Sequence, residues 1–124
     1  MTPPQLLDRA RDMLAGVEPA TAGLWPRCVA FLLRQAIEAQ VSKVLDRFAP
    51  GFRETPMRTQ LIALAVISPN KALARRVAYT WHALSGATHY HGYELAAGAV
   101  ELHSWMTTIE AFVMAGAPVV RRDR

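Results

Sequence analysis

The chain is short, apolar and weakly basic. Its 124 residues match one domain, and 52% hydrophobic against 19% charged residues exclude disorder as its main state. A single cysteine, Cys28, excludes a disulfide framework and a cysteine-based zinc cluster, and it fits a reducing, cytoplasmic setting. The longest apolar run, Leu61 to Ile67, is far shorter than the roughly 20 residues that span a bilayer. Asp8, Arg9 and Asp12 argue against a secretory signal, so we expect a cytoplasmic protein without a membrane partner.

The excess positive charge lies in one stretch. Fourteen basic minus ten acidic residues give +4. No Asp or Glu occurs between Thr55 and Tyr93, whereas four basic residues do: Arg58, Lys71, Arg75 and Arg76. A concave surface built from this stretch would attract a phosphate-bearing ligand. The alternative is that a buried bundle helix has few acidic residues because it has few charges of any kind.

Apolar residues recur at helical spacing along the first half of the chain. Thr2 followed by Pro3 and Pro4 predicts the start of a first helix that ends near Gly16. A long second helix then runs to Phe48, before Pro50 and Gly51. Its predicted inward stripe consists of Leu24, Cys28, Phe31, Leu32, Ala36, Ala39, Val44, Leu45 and Phe48.

Three further helices are predicted in the second half. Thr55 with Pro56 begins a helix to about Ile67, and Ser68 with Pro69 begins a fourth helix whose core stripe is Leu73, Val77, Trp81 and Leu84. Regularity is lost around residues 86–92, and a last helix spans about 96–115, with an inward face of Val100, Trp105, Ile109, Phe112 and Val113. No segment alternates like a surface strand. The sequence therefore predicts a single all-α domain over residues 1–124, an antiparallel bundle of four to five helices.

Three histidines fall within ten residues, His82, His89 and His91. On a straight helix one face would carry Arg75, Tyr79, His82, Gly86, His89 and Tyr93, whereas His91 joins it only if the helix breaks. The glycines that flank the cluster could supply that break. The alternative is that some of these side chains satisfy buried backbone groups between helices.

Several chemistries lack their motifs. The histidine spacing has no i, i+4 pair of a zinc protease and no nearby cysteine, so we predict no metal and no cofactor. A nucleophile elbow, a phosphate-cradling glycine loop and paired catalytic carboxylates are also missing. The chemistry left after these exclusions is cleavage of RNA through its own 2'-hydroxyl, because that reaction needs a base and a cation but no metal. Histidine titrates in the right range for the base.

The segment from Leu84 to Leu95, which reads LSGATHYHGYEL, resembles the HEPN superfamily in its actinobacterial group. The likeness covers most of the chain through its helix order and long second helix, and it implies a HEPN-like helical bundle. Many members of this family are metal-independent ribonucleases and toxins of toxin-antitoxin or phage-defence systems. One form of their motif reads Arg-x4-His-x-Tyr, which His91 and Tyr93 match at its end.

The arginine of that motif is missing, because Gly86 stands at its position. In the family this arginine is implied to hold the scissile phosphate, and glycine offers no side-chain donor. Arg76 or Arg75 with His82 satisfies a looser spacing without the His-x-Tyr end. The resemblance thus implies His91 as the chief catalytic residue with His89 and Tyr93 in support, and it leaves Gly86, Arg76 and His82 as further site positions.

The resemblance also implies partners, namely RNA, a second copy in a homodimer, and a cognate antitoxin or a nucleotidyltransferase that modifies Tyr93. Two hypotheses stay open. One is a metal-independent endoribonuclease toxin, or a form impaired by Gly86. The other is a non-catalytic helical module that binds a nucleotide, an RNA or a protein. A purely structural bundle is a third possibility.

Overall fold

The computed structural model describes residues 1–15, 25–52, 54–88 and 98–115. Its elements are α1 (Pro3–Ala15), α2 (Trp25–Phe48), a short 3-10 helix (Pro50–Phe52), α3 (Met57–Ile67), α4 (Lys71–Thr88) and α5 (Ala99–Ala115). The described residues are 89% helical and contain no strand, which confirms the prediction of an all-α bundle. Among the helices of these ranges, none has both the length and the apolar character needed to cross a bilayer.

Two helices begin with side chains that bind free backbone amides. At α1 the amide of Gln5 donates to Thr2 Oγ1 (3.3 Å) and the amide of Thr2 donates to Gln5 Oε1 (2.8 Å). This reciprocal capping box confirms the start predicted at Thr2. At α5 the amide of Gly98 donates to Glu101 Oε1 (3.1 Å), so a carboxylate in the first turn supports a start that has no capping hydroxyl.

The starts of α3 and α4 differ from the prediction in their caps. The Thr55 hydroxyl donates to the carbonyl of Phe52 (2.7 Å), so it does not cap α3. At α4 the amide of Leu73 donates to Asn70 Oδ1 (3.0 Å). Asn70 is therefore the cap, and Ser68 is the residue at which α3 ends. The predicted boundaries hold within a few residues because proline and a capping side chain act locally.

The core surrounds α2, which packs against each of the other four α-helices. Its buried apolar residues are Val29, Ala30, Leu33, Ala36, Ile37, Val41, Val44 and Leu45. The predicted stripe is wrong at both ends, since Phe31 is 51% exposed, Cys28 is an exposed, free thiol, and Phe48 is 38% exposed. Successive residues of a helix point about 100° apart. The prediction selected Cys28 and Phe31 in place of Val29 and Leu33, so it placed the start of the inward face on the solvent side.

The core faces of α4 and α5 follow the prediction in part. Leu73, Val77 and Leu84 are buried in α4, and Trp81 packs against the core while half-buried. In α5 the buried apolar residues are Leu102, Met106, Ile109 and Phe112, whereas Val100 is 83% exposed. The prediction placed Val100 inward wrongly, because it lies about 200° around the helix from the first core residue, Leu102.

Polar contacts hold the helices in register around this core. Lys71 Nζ donates to the carbonyls of Ala65 (2.7 Å) and Val66 (2.9 Å), so the first residue of α4 binds the last turn of α3. Arg11 in α1 donates to the carboxylate of Glu110 in α5. Hydrogen bonding to Glu110 is the main cause that raises the pKa of Arg11. These contacts fix α4 and α5, the two helices that frame the candidate site.

Candidate functional site

The outward face of α4 carries the residues that the helical spacing predicts together. Arg75, Tyr79, His82 and Gly86 are all exposed, and Tyr79 is 71% exposed. Their separations of four, three and four residues bring them back to one side of the helix, opposite the buried Val77. No acidic residue occurs in α4. This face therefore combines a cation, an imidazole and an aromatic ring without a competing carboxylate of its own helix.

A groove of about 450 Å³ runs between α4 and α5 beside that face. Its lining consists of Ala72, Arg75, Arg76, Tyr79 and Thr80 from α4, and Ser104, Trp105 and Thr108 from α5. Every polar group in this lining is a guanidinium, a hydroxyl or an indole N–H, and none is a carboxylate. Such a set of groups suits an anionic oxygen ligand.

Hydrogen bonds orient the guanidinium of Arg76 across the groove. Arg76 Nη2 donates to Thr108 Oγ1 (3.3 Å), and that hydroxyl in turn donates to the carbonyl of Ser104 (3.5 Å). Because both bonds run in one direction, the Thr108 hydroxyl presents a lone pair to Arg76. A guanidinium has five N–H donors, so this single neutral contact leaves most of its donor capacity for a ligand.

Two further donors in the groove are unused within the described part of the chain. Thr80 is only 2% exposed and lines the groove, yet its hydroxyl has no hydrogen bond to a described residue. The indole N–H of the half-buried Trp105 likewise has none there. Both groups line a groove that contains two guanidinium groups, so they can donate to an acceptor bound there.

The structure separates Arg76 from His82. Six residues amount to about 600° of helical rotation, which leaves the two side chains about 120° apart around α4. Arg76 contacts α5, whereas His82 lies on the outward face, with its ring edge-on to Trp81 at 5.0 Å between centroids. Arg75, seven residues before His82, lies on the same side as that histidine. Of the two arginines that the sequence offers as partners of His82, Arg75 lies on the same side of α4 as His82.

Gly86 lies in the last turns of α4 and is exposed. A Cβ atom placed on it meets nothing within 4 Å. The glycine is therefore not required by packing, and a longer side chain would extend from the same side as His82. The other predicted residues of this motif, His89, His91 and Tyr93, lie outside the described residues.

A second pocket, of about 630 Å³, lies on the opposite flank of α4, between α2 and α3. There Arg34 Nε donates to Glu38 Oε2 (3.0 Å), and Trp81 Nε1 donates to the same oxygen (2.9 Å). The guanidinium of Arg34 also lies 5.9 Å from the centre of the Trp81 ring. This arginine is therefore neutralised and covered by its own neighbours.

The described residues contain no group of three or more His, Cys, Asp or Glu side chains that could hold a metal ion. No family model, no curated protein and no solved structure matches the chain. Its function is therefore inferred from its own side chains. Sequence reasoning missed Thr80, Ser104 and Thr108. For Ser104 and Thr108 the available signal was a pair of hydroxyl residues one turn apart in α5.

Proposed function

We propose that the chain binds RNA along α4 and cleaves it without a metal, as a HEPN-type endoribonuclease, with His91 as the chief catalytic residue and His89 and Tyr93 in support. The observation that carries this proposal is the exposed, acid-free face of α4, where Arg75 and His82 lie in line. A phosphodiester backbone is attracted by such a face, and Tyr79 beside it offers a ring for base stacking.

The chemistry uses only groups of this type. A neutral histidine takes the proton of the 2'-hydroxyl, the 2'-oxygen forms a bond to phosphorus, and the bond to the 5'-oxygen breaks. The 5'-oxygen takes up a proton from water, the histidine later returns its proton to solvent, and the 2'- and 3'-oxygens share the resulting cyclic phosphate. A guanidinium stabilises the negative charge that develops on the phosphoryl oxygens. Arg75 is our candidate for that cation, because it lies on the outward face and no described carboxylate pairs with it.

Gly86 favours a second candidate function, a helical module that binds RNA or a nucleotide without cutting it. At this position the motif requires an arginine, and the space around it is open. A chain that kept the fold and lost this guanidinium would lose most of its rate, and its other cations, such as Arg75, would still attract phosphate. A homodimer, a cognate antitoxin and a nucleotidyltransferase acting on Tyr93 belong to both versions of the proposal as partners.

The test is cleavage of a mixed RNA pool in excess chelator. The proteins compared are the chain itself, Gly86→Arg, Gly86→Gln as an uncharged control of similar length, and Gly86→Arg combined with His91→Ala. If Gly86→Arg cuts and the histidine variant loses about a hundredfold or more, the ribonuclease proposal stands with its arginine missing at Gly86. If the chain itself cuts, Arg75→Gln should abolish that cutting. If none of these proteins cuts RNA and the chain still binds it, the result favours the second candidate function, a module that binds without cutting.

A further inference from the structure

The groove between α4 and α5 borders the outward face that carries the proposed cleavage site and shares Arg75 and Tyr79 with it. It adds a second cation, Arg76, which contacts α5, and the hydroxyl of Thr80. Neither residue lies on the side of α4 that holds His82 and Gly86. Arg76 and Thr80 are therefore placed to contact a part of a ligand that does not lie against His82.

We propose that this groove binds a phosphoryl group, with Arg76 and Thr80 as its principal donors and Arg75 at its rim. The groove's volume of about 450 Å³ accommodates a phosphate together with part of the nucleoside that carries it. A phosphoryl oxygen can accept a hydrogen bond from the Thr80 hydroxyl, which lines the groove. It also supplies a negative charge for Arg76, whose contact with Thr108 is with a neutral hydroxyl.

The remaining lining fits the nucleoside side of such a ligand. Tyr79 and Trp105 are aromatic residues contributed by opposite walls of the groove. Tyr79 is 71% exposed, and an exposed aromatic ring beside a cation is suited to stacking on an unpaired base, whereas the half-buried Trp105 forms the facing wall. The ligand is thus a phosphate ester of a nucleoside, either free or as one unit of an RNA strand. The statement that the bound phosphate ester belongs to an RNA strand rests on the proposed function. The statement that the groove binds a phosphate ester does not.

The experiment follows backbone amide signals by NMR in the full chain. Inorganic phosphate, a nucleoside 5'-monophosphate and a short oligoribonucleotide are titrated separately. The expected result is saturable shifts at Thr80, Ser104 and Thr108 with at least one probe. Shifts with the two small probes identify a free phosphate ester as sufficient, and shifts with the oligoribonucleotide alone identify RNA. Absence of shifts at these residues with all three probes overturns the proposal.

Two pairs of variants separate ligand binding from structure. Arg76→Gln is paired with Arg9→Gln, an equal charge change at an exposed residue of α1, and Thr80→Val is paired with Thr107→Val, on the exposed side of α5. Loss of a charge-assisted hydrogen bond predicts an affinity about tenfold lower for Arg76→Gln. Loss of a neutral one predicts about fivefold for Thr80→Val. Equal affinities within each pair would overturn the assignment.

A histidine variant keeps this proposal distinct from the ribonuclease proposal. His91→Ala, made in whichever protein cuts RNA, should abolish cleavage and leave phosphate binding in the groove unchanged. Groove binding without cleavage by any variant would end the ribonuclease proposal alone. Cleavage in a protein whose groove signals never shift would end the groove proposal alone.

Discussion

The two flanks of α4 each hold two arginines, a tryptophan and threonines, and only one flank holds a carboxylate. Between α2, α3 and α4, Arg34 and Trp81 both donate to Glu38. Between α4 and α5, Arg76 meets only the hydroxyl of Thr108 among the described residues. The first guanidinium has its counter-charge within the fold, whereas the second one does not.

The comparison shows that the number of basic residues is a poor guide to a ligand site. Arg34 and Arg76 contribute equally to the net charge, yet an acidic partner has already been supplied to one of them. We expect the neutralised flank to stabilise the fold and the carboxylate-free flank to bind ligand. Substitutions on the two flanks should therefore change different measured quantities.

Removing the carboxylate should have the largest effect on stability. In Glu38→Met the indole N–H of Trp81 and the guanidinium of Arg34 both lose their acceptor while they are half-buried. We expect the free energy of unfolding to fall by about 2 kcal/mol. Urea unfolding followed by circular dichroism measures this, with Glu54→Met, at an exposed position, as the control. A loss equal to that of the control would show that the Glu38 cluster contributes nothing.

Adding a carboxylate to the other flank should weaken its binding of ligand. Ser104→Glu places a carboxylate in the lining of the groove, near Arg76, and so imitates the neutralised flank. We expect the affinity for a short oligoribonucleotide to fall about tenfold or more, with little change in stability. Thr107→Glu adds the same charge to α5 outside the groove, and it should cost much less affinity. Fluorescence anisotropy distinguishes the two, and equal losses would contradict a local site.

The helix shared by both flanks should tolerate a better helix former at Gly86. Since that position is helical, exposed and open around its Cβ, Gly86→Ala should raise the free energy of unfolding by about 1 kcal/mol. Thermal unfolding gives the comparison with the parent chain. A lower melting temperature for Gly86→Ala would contradict this and would mean that the backbone at this position requires glycine.

The smallest effect is expected at the ion pairs of Arg11 with Asp8 and Glu110. Its side chain is 47% exposed, in contrast to the 27% of Arg34. Arg11→Gln should therefore cost about 0.5 kcal/mol, and high salt should remove most of that difference. Urea unfolding at low and high salt measures it. A cost that persists in high salt would contradict a screened, exposed pair.

The secondary structure could be predicted from local signals. Thr2 with Gln5 and the prolines that precede the helices act within a few residues, so the helix boundaries came out nearly as predicted. The inward stripe of α2 could not be fixed in the same way. Cys28 and Phe31 are as apolar as their buried neighbours, and only the positions of the other helices decide which face turns inward.

The candidate site was predictable as far as it lies on one helix. The shared face of Arg75, Tyr79 and His82 follows from helical geometry alone. The groove was not predictable, because Thr80 and Thr108 meet only when α5 packs on α4, and they are separated by 28 residues of sequence. Nothing in the spacing shows that Arg76 contacts α5 instead of sharing a face with His82.

The most direct test of the central claim is the salt dependence of oligoribonucleotide binding. The central claim is that α4 and its groove recognise phosphate through arginines that lack an acidic partner in the described structure. The logarithm of affinity should fall linearly with the logarithm of salt concentration, and Arg76→Gln should reduce the magnitude of that slope by about 1 while Arg9→Gln leaves it unchanged. Binding that salt does not weaken, or equal slopes for the two variants, would contradict the claim.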